Sequence, residues 1–542
     1  MEKENREDAE NETRGQRRTR SKERKRRHRG IGFFLCVFLL LLQIAVSVIM
    51  CLEVYQLGLL PDRYLGVVIL VLLLMAGIEI GLILQHSRAA YAIAGVFAVC
   101  FTFCLSMGTV YARKTDETLQ SISATTTTTQ LDEVLVTVLA DSGIGSLDEL
   151  AGRVVGIQAS LDRDNTDTTI ESLSSQLDDN LTVEEYNGIA DMVQALYDGG
   201  CEAIVYNEAY QEMITDSFET FEEDVVILNT YTYTTTVEVE ADTDNIRENF
   251  ELEEEPFIVY LSGIDKAGDV SVTSRSDVNI LAVVNPATRQ ILLVTTPRDY
   301  YVSLPFEGDC MDKLTHAGIY GIDCSIETLE NLYGISVDYY LRVNFTGFVD
   351  IVDALGGVSV YSEQAFTSEV GNYDFVVGYN EVDGDMALGF VRERHSFTDG
   401  DYQRARNQMA MIEAIVEKAT SPSILTSYTS VLESLEGSFT TDMTTDDIAT
   451  LVKMCLEDDS AWNIETYSVT GTSARMSTYS MGSQQLYVIL QDEESIAEAQ
   501  DLIQRVWDGE IIDLETETEE GSSEESSEAL ETSAEAILSN AS

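Results

Sequence analysis

The sequence predicts an α/β protein carried on a three-span membrane anchor: a small accessory α/β domain, then a larger α-β-α domain with a mixed central sheet flanked by helices. Three observations lead there. Three apolar segments fall within the first 110 residues, each near the ~20 residues needed to cross a hydrocarbon core. From residue 131 onward, β-branched runs alternate with amphipathic stretches that end in glycine. The formal charge is −61, yet four arginines (Arg392, Arg394, Arg404, Arg406) stand together in "GFVRERHSFTDGDYQRARNQ".

Residues 1–30 form a basic tail ending in "RRTRSKERKRRHRG". Residues 31–110 hold the spans, about Ile31–Leu52, Leu65–Leu84 and Ala89–Met107. The first is too long for a signal-peptide core, lacks an A-x-A-like cleavage site and is followed by two more spans. Arg17–Arg18 could belong to a Tat signal, but a basic anchor flank explains the pair more simply. Lys and Arg mark the cytoplasmic side. The N-terminus is therefore expected inside, and everything after about Val110 outside.

Residues 111–130, with "SISATTTTTQ", read as a polar linker. Residues 131–235 read as the accessory domain, with strands at "VVGIQ" and "EAIVY" and a helix in "NGIADMVQALYDGG". "SLDELAGRVVGIQ" and "MVQALYDGGCEAIVYNEAY" resemble pieces of a solute-binding fold, without an evident ligand constellation. The larger domain spans 253–509. It opens on "FIVYLSGID", "VNILAVVN" and "QILLVTTPRDYYVSLP", three strand-like runs. A helix at "SIETLENLYG", a strand at "YYLRVNF" and a helix at "GFVDIVDALGG" follow. Residues 513–542 carry ten acids and few large apolar groups, a composition expected to stay disordered.

Charge excludes one class of partner. Residues 116–542 hold 17 basic and 84 acidic residues, a net charge of −67. No nucleic acid is expected to bind, because that binding relies on phosphate neutralisation by Lys and Arg. Seven of those 17 basic residues fall in four short motifs. Cys310 and Cys324 bracket "MDKLTHAGIYGID" and are expected to form a disulfide outside the cell. No C-x-x-C occurs, and Walker A, G-x-S-x-G and H-E-x-x-H motifs are missing from the sequence.

The four motifs suggest phosphate chemistry. Asp265 ends one strand and Asp277 begins the next, so a hairpin would bring together two carboxylates suited to Mg²⁺ beside phosphates. Taken alone, loop-capping aspartates are the simpler reading. Arg298 closes an apolar strand in "TPRD", where α/β sheets place ligands. Lys313 in "DKLTHA" could meet a phosphate as a point charge, and His316 could carry a proton. "GFVRERH" reads as a strand with Arg392 and Arg394 on one face. Asp401 is placed to cap the next helix, on which Arg404 and Gln408 share a face and Arg406 points elsewhere. Guanidiniums on two adjoining elements could clamp a diphosphate bidentately; an Arg–Glu network with Glu393 and Asp399 is the alternative.

In order and spacing, "SGID", "SRSDVNILAVVNPATRQILLVTTPRD", "DKLTHAG", "VDYYLRVNFTGFVDIVDALGGV", "ALGFVRERH" and "DYQRARNQ" resemble the LytR-CpsA-Psr proteins, membrane-anchored glycopolymer ligases of Gram-positive envelopes. The resemblance implies transfer of an anionic glycopolymer of teichoic acid or capsule type from undecaprenyl diphosphate to peptidoglycan. It implies Mg²⁺, with Mn²⁺ as the alternative, on Asp265 and Asp277. It also implies phosphate binding by Arg275, Arg298, Lys313, Arg392, Arg394, Arg404 and Gln408, with Asp401 orienting the arginines. Asp277, Arg298, Arg392 and Arg394 are the expected catalytic residues. The prenyl chain is expected in an apolar channel between sheet and helices. A polyprenyl-diphosphate hydrolase and a non-catalytic envelope sensor or scaffold are the competing readings.

Overall fold

A computed structural model describes residues 32–514, apart from 123–127, 160–161, 238–251, 265–271, 422–438 and 458–461 and the single residues 59, 179, 307, 309 and 399. The basic tail at 1–30 and nearly all of the acidic tail at 513–542 lie outside the described residues, as does Asp265. Two compact units divide the chain: Met1–Leu119 with Ile448–Asp458, and Gln120–Asp447 with Asp459–Ser542.

In the first unit, three helices are long and apolar enough to cross a membrane: α1 (Gly32–Gln56), α2 (Asp62–Leu84) and α3 (Arg88–Ile122). The linker expected over 111–130 is shorter than its composition suggests. Helix α3 continues to Ile122, and strand β1 (Thr128–Leu139) has already begun by Thr128. The threonines that read as low complexity are β-branched and fit a ladder; Thr128 and Thr129 pair with Val237 and Thr236.

The second unit holds both α/β domains. In the accessory domain, β1, β2 (Val154–Gln158), β3 (Thr182–Tyr186), β4 (Ala203–Asn207) and β5 (Val225–Val237) form one sheet in the order β3-β2-β4-β1-β5. Its helices are α4 (Arg163–Gln176), α5 (Ile189–Asp198), α6 (Gln211–Ser217) and the short α7 (Phe221–Asp224). Helix α5 buries Ile189, Met192, Val193 and Leu196, the i, i+3, i+4, i+7 stripe of its sequence, and stops at Gly199. At Gly199 the backbone turns left-handed (φ 75°), a conformation glycine adopts without Cβ strain.

The larger domain begins with β6 (Phe257–Ile264), β7 (Ser276–Asn285) and β8 (Gln290–Thr295), an antiparallel meander. Short β9 (Tyr301–Ser303) and β10 (Met311–Lys313) pair with each other and lead into α8 (Leu314–Ala317) and α9 (Ile322–Tyr333). Strand β11 (Tyr339–Asn344) lies parallel to β6 and runs directly into α10 (Phe345–Ala354). Two small ladders follow, β12 (Val358–Ser362) with β15 (Gly378–Val382) and β13 (Phe366–Thr367) with β14 (Asp374–Phe375). Then come α11 (Gly384–Arg392) and α12 (Gly400–Thr420). Strands β16 (Phe439–Thr441) and β17 (Asn463–Ser468) complete a six-stranded sheet, β16-β11-β6-β7-β8-β17. The hairpin of β18 (Gly471–Ser477) and β19 (Gln485–Gln491) and helix α13 (Glu493–Trp507) close the domain.

Period-two alternation gives this sheet two different faces. Ile258 and Tyr260 of β6, Leu281 and Val283 of β7 and Leu292 and Val294 of β8 enter a core shared with α9 and α13. Leu261 and Gly263 of β6 and Leu341 and Val343 of β11 face the other way, toward α10, α11 and α12. The helices there form a core of their own around Val352, Phe390 and Met411.

Two expectations are corrected. Cys310 and Cys324 are two separate buried thiols, not a disulfide. Both are absorbed into the core under α9, where a thiol packs as a small hydrophobe. "GFVRERH" is not a strand: Gly389 to Arg392 are the last turn of α11. Asp383 caps that helix by accepting the Met386 N–H at 3.0 Å, and Ala387 and Phe390 bury one face at helical spacing.

Candidate active site

The antiparallel hairpin and the parallel β6–β11 pair bring several strand ends to one edge of the sheet. The register sets Ile264, near the end of β6, against Ser276 at the start of β7, and Thr295 at the end of β8 against Ile280. Asp277 therefore stands close to the loop that carries Arg298. Arg298 Nη1 donates to Asp277 Oδ2 at 2.5 Å, and both side chains are mostly buried. Thr315 Oγ1, from α8, donates to Asp277 Oδ1 at 2.9 Å. Burial alone would raise the Asp277 pKa. Arg298, Arg275 and Arg404 outweigh it, helped by Thr315, and hold the carboxylate below its usual range.

Behind this edge a cavity of about 610 Å³ opens between the second sheet face and the helices. Its wall is Leu261, Val278, Leu341 and Val343 on the sheet and Phe348, Ile351, Val391, Met411 and Ile415 on α10, α11 and α12. Its polar lining is Arg275, Asp277, Arg298, Arg392, Arg394, Arg404 and Gln408, with Asp216, Glu369, Glu393 and His395 among them. Seven of the predicted site residues thus line one largely apolar chamber.

Local structure explains how the arginines are presented. Arg392 closes α11 with its guanidinium over the Phe345 ring, 4.2 Å from the centroid, a cation–π contact. Arg394 follows in the connecting turn. Glu393, buried between them, spends its carboxylate on the backbone N–H groups of Glu369 (2.6 Å) and Ser396 (2.8 Å). Burial would raise its pKa, but these hydrogen bonds keep it low. The turn is pinned by a carboxylate that takes main-chain donors; Asp399, the other acid of the Arg–Glu network considered from sequence, lies outside the described residues. Arg404 and Gln408 lie one turn apart on α12 and both reach the chamber. Asp401 lies in the first turn of α12. Arg406 pairs with Glu363 at 3.1 Å and donates to Gln403, outside the lining.

Other candidates are placed elsewhere. Lys313 is not brought to the chamber: its Nζ sits 2.8 Å from Asp299 Oδ1 in a nearly buried ion pair, so its charge is already matched. His316 is buried 2.6 Å from Asp312, and burial depresses its pKa despite that carboxylate. Two residues that sequence reasoning passed over do reach the site, Thr315 and Phe345. Each lies inside a motif already singled out, "DKLTHAG" and "RVNFTGF". Among the described residues, no group of three or more His, Cys, Asp or Glu surrounds a metal position.

An apolar chamber lined by guanidiniums has the chemistry to accept an amphiphilic anion, hydrocarbon against its walls and charge against the arginines. The chain belongs to the LytR_cpsA_psr family, whose model matches residues 225–501, slightly more than half of the chain. It is similar to the polyisoprenyl-teichoic acid–peptidoglycan teichoic acid transferase TagU of Enterococcus faecalis, 37% identical over 197 residues that are 36% of this chain and 64% of that protein. TagU of Bacillus cereus is 35% identical over 210 residues, 38% of this chain and 67% of that one. The crystal structure of B. subtilis TagV aligns over 47% of this chain and 98% of that chain, at 25% identity and a TM-score of 0.41.

Proposed function

We propose that this protein is a membrane-anchored glycopolymer phosphotransferase. It takes an anionic polymer of teichoic acid type from an undecaprenyl-diphosphate carrier and joins it to a peptidoglycan hydroxyl outside the cell. One observation carries the reading: a strongly acidic chain gathers five arginines at the head of an apolar chamber. The names of its relatives, which are teichoic acid transferases, support the same chemistry.

In the proposed reaction the prenyl tail lies along Leu341, Val343 and Ile415, and the diphosphate meets Arg298, Arg392, Arg394 and Arg404. A glycan hydroxyl attacks the phosphorus that bears the polymer. The new P–O bond forms as the bond to the bridging oxygen breaks, and prenyl phosphate departs with the electron pair and takes up the proton that the glycan hydroxyl gives up. The arginines stabilise charge on that leaving group, and phosphoryl transfer asks for positioning and neutralisation more than covalent help. Asp277 is a poor general base, because three arginines hold it ionised; Asp299 is engaged by Lys313 away from the chamber. Asp277 instead orients Arg298. It also suits a share in Mg²⁺ binding: it is an ionised oxygen donor at the phosphate end, and Mg²⁺ takes most of its shell from water and phosphate. Asp265 is the proposed second ligand. When bound, the ion neutralises diphosphate charge.

The test is attachment of wall polymer in cells carrying Arg392→Ala or Asp277→Ala. Attachment should fall at least ~100-fold, the scale of losing one electrostatic stabiliser, with protein level and membrane location unchanged. Retained attachment would refute the reading. Release of free polymer by the wild-type protein would point to hydrolysis.

A further inference from the structure

The accessory domain has no part in the reaction above, yet it reaches the site. Arg275 is 6% exposed, and its guanidinium is held from the accessory side. Nη2 donates to Glu212 Oε2 at 2.5 Å and Nη1 to Asp216 Oδ2 at 2.9 Å. Both carboxylates stand on α6, four residues apart and so on one face. Of the three N–H groups left over, the one on Nε is buried and has no hydrogen-bond partner among the described residues. Arg275 and Asp216 both line the chamber, beside Asp277. An unmatched buried donor costs about 1–3 kcal/mol, so the two carboxylate contacts are what hold this side chain in place.

The grip is rigid because the two domains share a core. Ile319 and Met481 of the larger domain pack among Ile189, Leu196 and Met213 of the accessory domain. Thr273, two residues before Arg275, donates to Asp132 of β1 at 2.7 Å. The Ile189 N–H donates to Ser480 O at 3.0 Å. Helix α6 therefore acts as a fixed bracket on Arg275.

We propose that Glu212 and Asp216 are positioning residues contributed by the accessory domain. They fix the Arg275 fork at the chamber wall, where the N–H groups left over on its Nη atoms meet the anionic head group, a diphosphate. The inference rests on the transferase reading, and it gives the accessory domain a place in the site.

The test uses the full-length protein in lipid nanodiscs, with farnesyl diphosphate as the probe and calorimetric titration as the readout. Both carboxylates are partly open to solvent, 36% and 66% exposed, but Arg275 is buried, so Glu212→Ala with Asp216→Ala leaves its charge unmatched and should lower the melting temperature; binding is therefore read at a temperature where the variant is still folded. Kd should rise about tenfold, the scale of a misplaced charged hydrogen bond. Arg275→Ala should weaken binding to a similar degree, and adding the two alanines to it should weaken binding no further. Arg275→Lys keeps the charge but loses the fork, so it should also weaken binding with the fold untouched. Unchanged or tighter binding in the double variant, or wild-type binding by Arg275→Lys, would overturn the inference. Wild-type protein that ignores the probe overturns both this and the transferase reading. Binding that is lost in Arg404→Ala but unmoved in the double variant overturns only the accessory domain's role.

Discussion

Two α/β domains of one compact unit solve the same packing problem differently. The accessory sheet is filled on both faces. Leu150, Leu173 and Val155 pack on one side, and Ile189, Ile204 and Phe221 on the other. The larger sheet is filled on one face only, and its other face is held off from α10, α11 and α12 by the chamber. Both obey the same alternation of side chains, so hydrophobic pattern alone does not separate them. The difference is what lies across from the apolar face: a close helix in one domain, and open space ending in arginines in the other. The arginine-lined chamber opens in the domain whose core is left unfilled.

That contrast predicts opposite outcomes for adding and removing bulk. Val343→Phe places a ring in the chamber, where there is room, so the protein should stay folded. Binding of a prenyl diphosphate should nonetheless fall ~100-fold or more, because the tail loses its berth; ordinary binding would mean that the chamber is not the tail site. Leu173→Ala, under the accessory sheet, should do the reverse. It removes a fully buried side chain from a closed core, at a cost of about 2–5 kcal/mol. Activity per folded molecule should be retained. Chemical denaturation read beside the binding assay separates the two effects.

A smaller effect is expected from a half-buried carboxylate of the accessory domain, Asp162. Asp162 precedes α4 with left-handed backbone (φ 44°) and accepts from Asn207 Nδ2 at 2.7 Å. Burial, with Asp132 and Asp164 adding repulsion, pushes its pKa up to about 6, against relief from Asn207 and Asn165. An acid whose pKa is higher folded than unfolded binds its proton more tightly when folded. Its contribution is therefore greatest below about pH 4 and is lost as pH rises toward 6. Asn tolerates the left-handed backbone. Asp162→Asn should accordingly gain up to ~3 kcal/mol over the wild type between pH 4 and 7, since one pKa unit is about 1.36 kcal/mol. Parallel melting-versus-pH curves for the two proteins would show that Asp162 titrates normally.

Much of the fold and the site was readable from residue patterns. Strands β6, β7, β8 and β11 are dense β-branched runs, and helices α5, α9 and α10 carry helical stripes with glycine at or after their ends. The arginines were conspicuous because the chain has so few cations. What misled was local ambiguity: "VRER" alternates like a strand, and only Asp383 upstream marks the helix start. Lys313 and His316 sat in a promising motif, but the match of Lys313 with Asp299 shows only in three dimensions, and Asp312, four residues before His316, reads in sequence as one more acid. Glu212 and Asp216 were invisible for a different reason. They are two acids among 94, and nothing short of the tertiary contact with Arg275 sets them apart.

The seam between the domains supplies the mildest perturbation, and it asks whether the filled domain serves the open one. Gly188, just before α5, faces Gly482 in the loop after β18 so closely that an added Cβ would lie 2.4 Å from Gly482 Cα. No side chain fits there, and neither backbone can yield without parting the shared core. Gly188→Ala should cost about 1–3 kcal/mol, the usual range for overpacking. If α6 is a working bracket, the shift should also loosen Arg275. Farnesyl diphosphate should then bind more weakly in Gly188→Ala than in Leu173→Ala, whose larger loss of stability lies on the far side of the sheet. Equal binding in the two variants would mean that the accessory domain steadies the fold without tuning the site, since only a disturbance at the seam can reach the Glu212–Arg275–Asp216 contact.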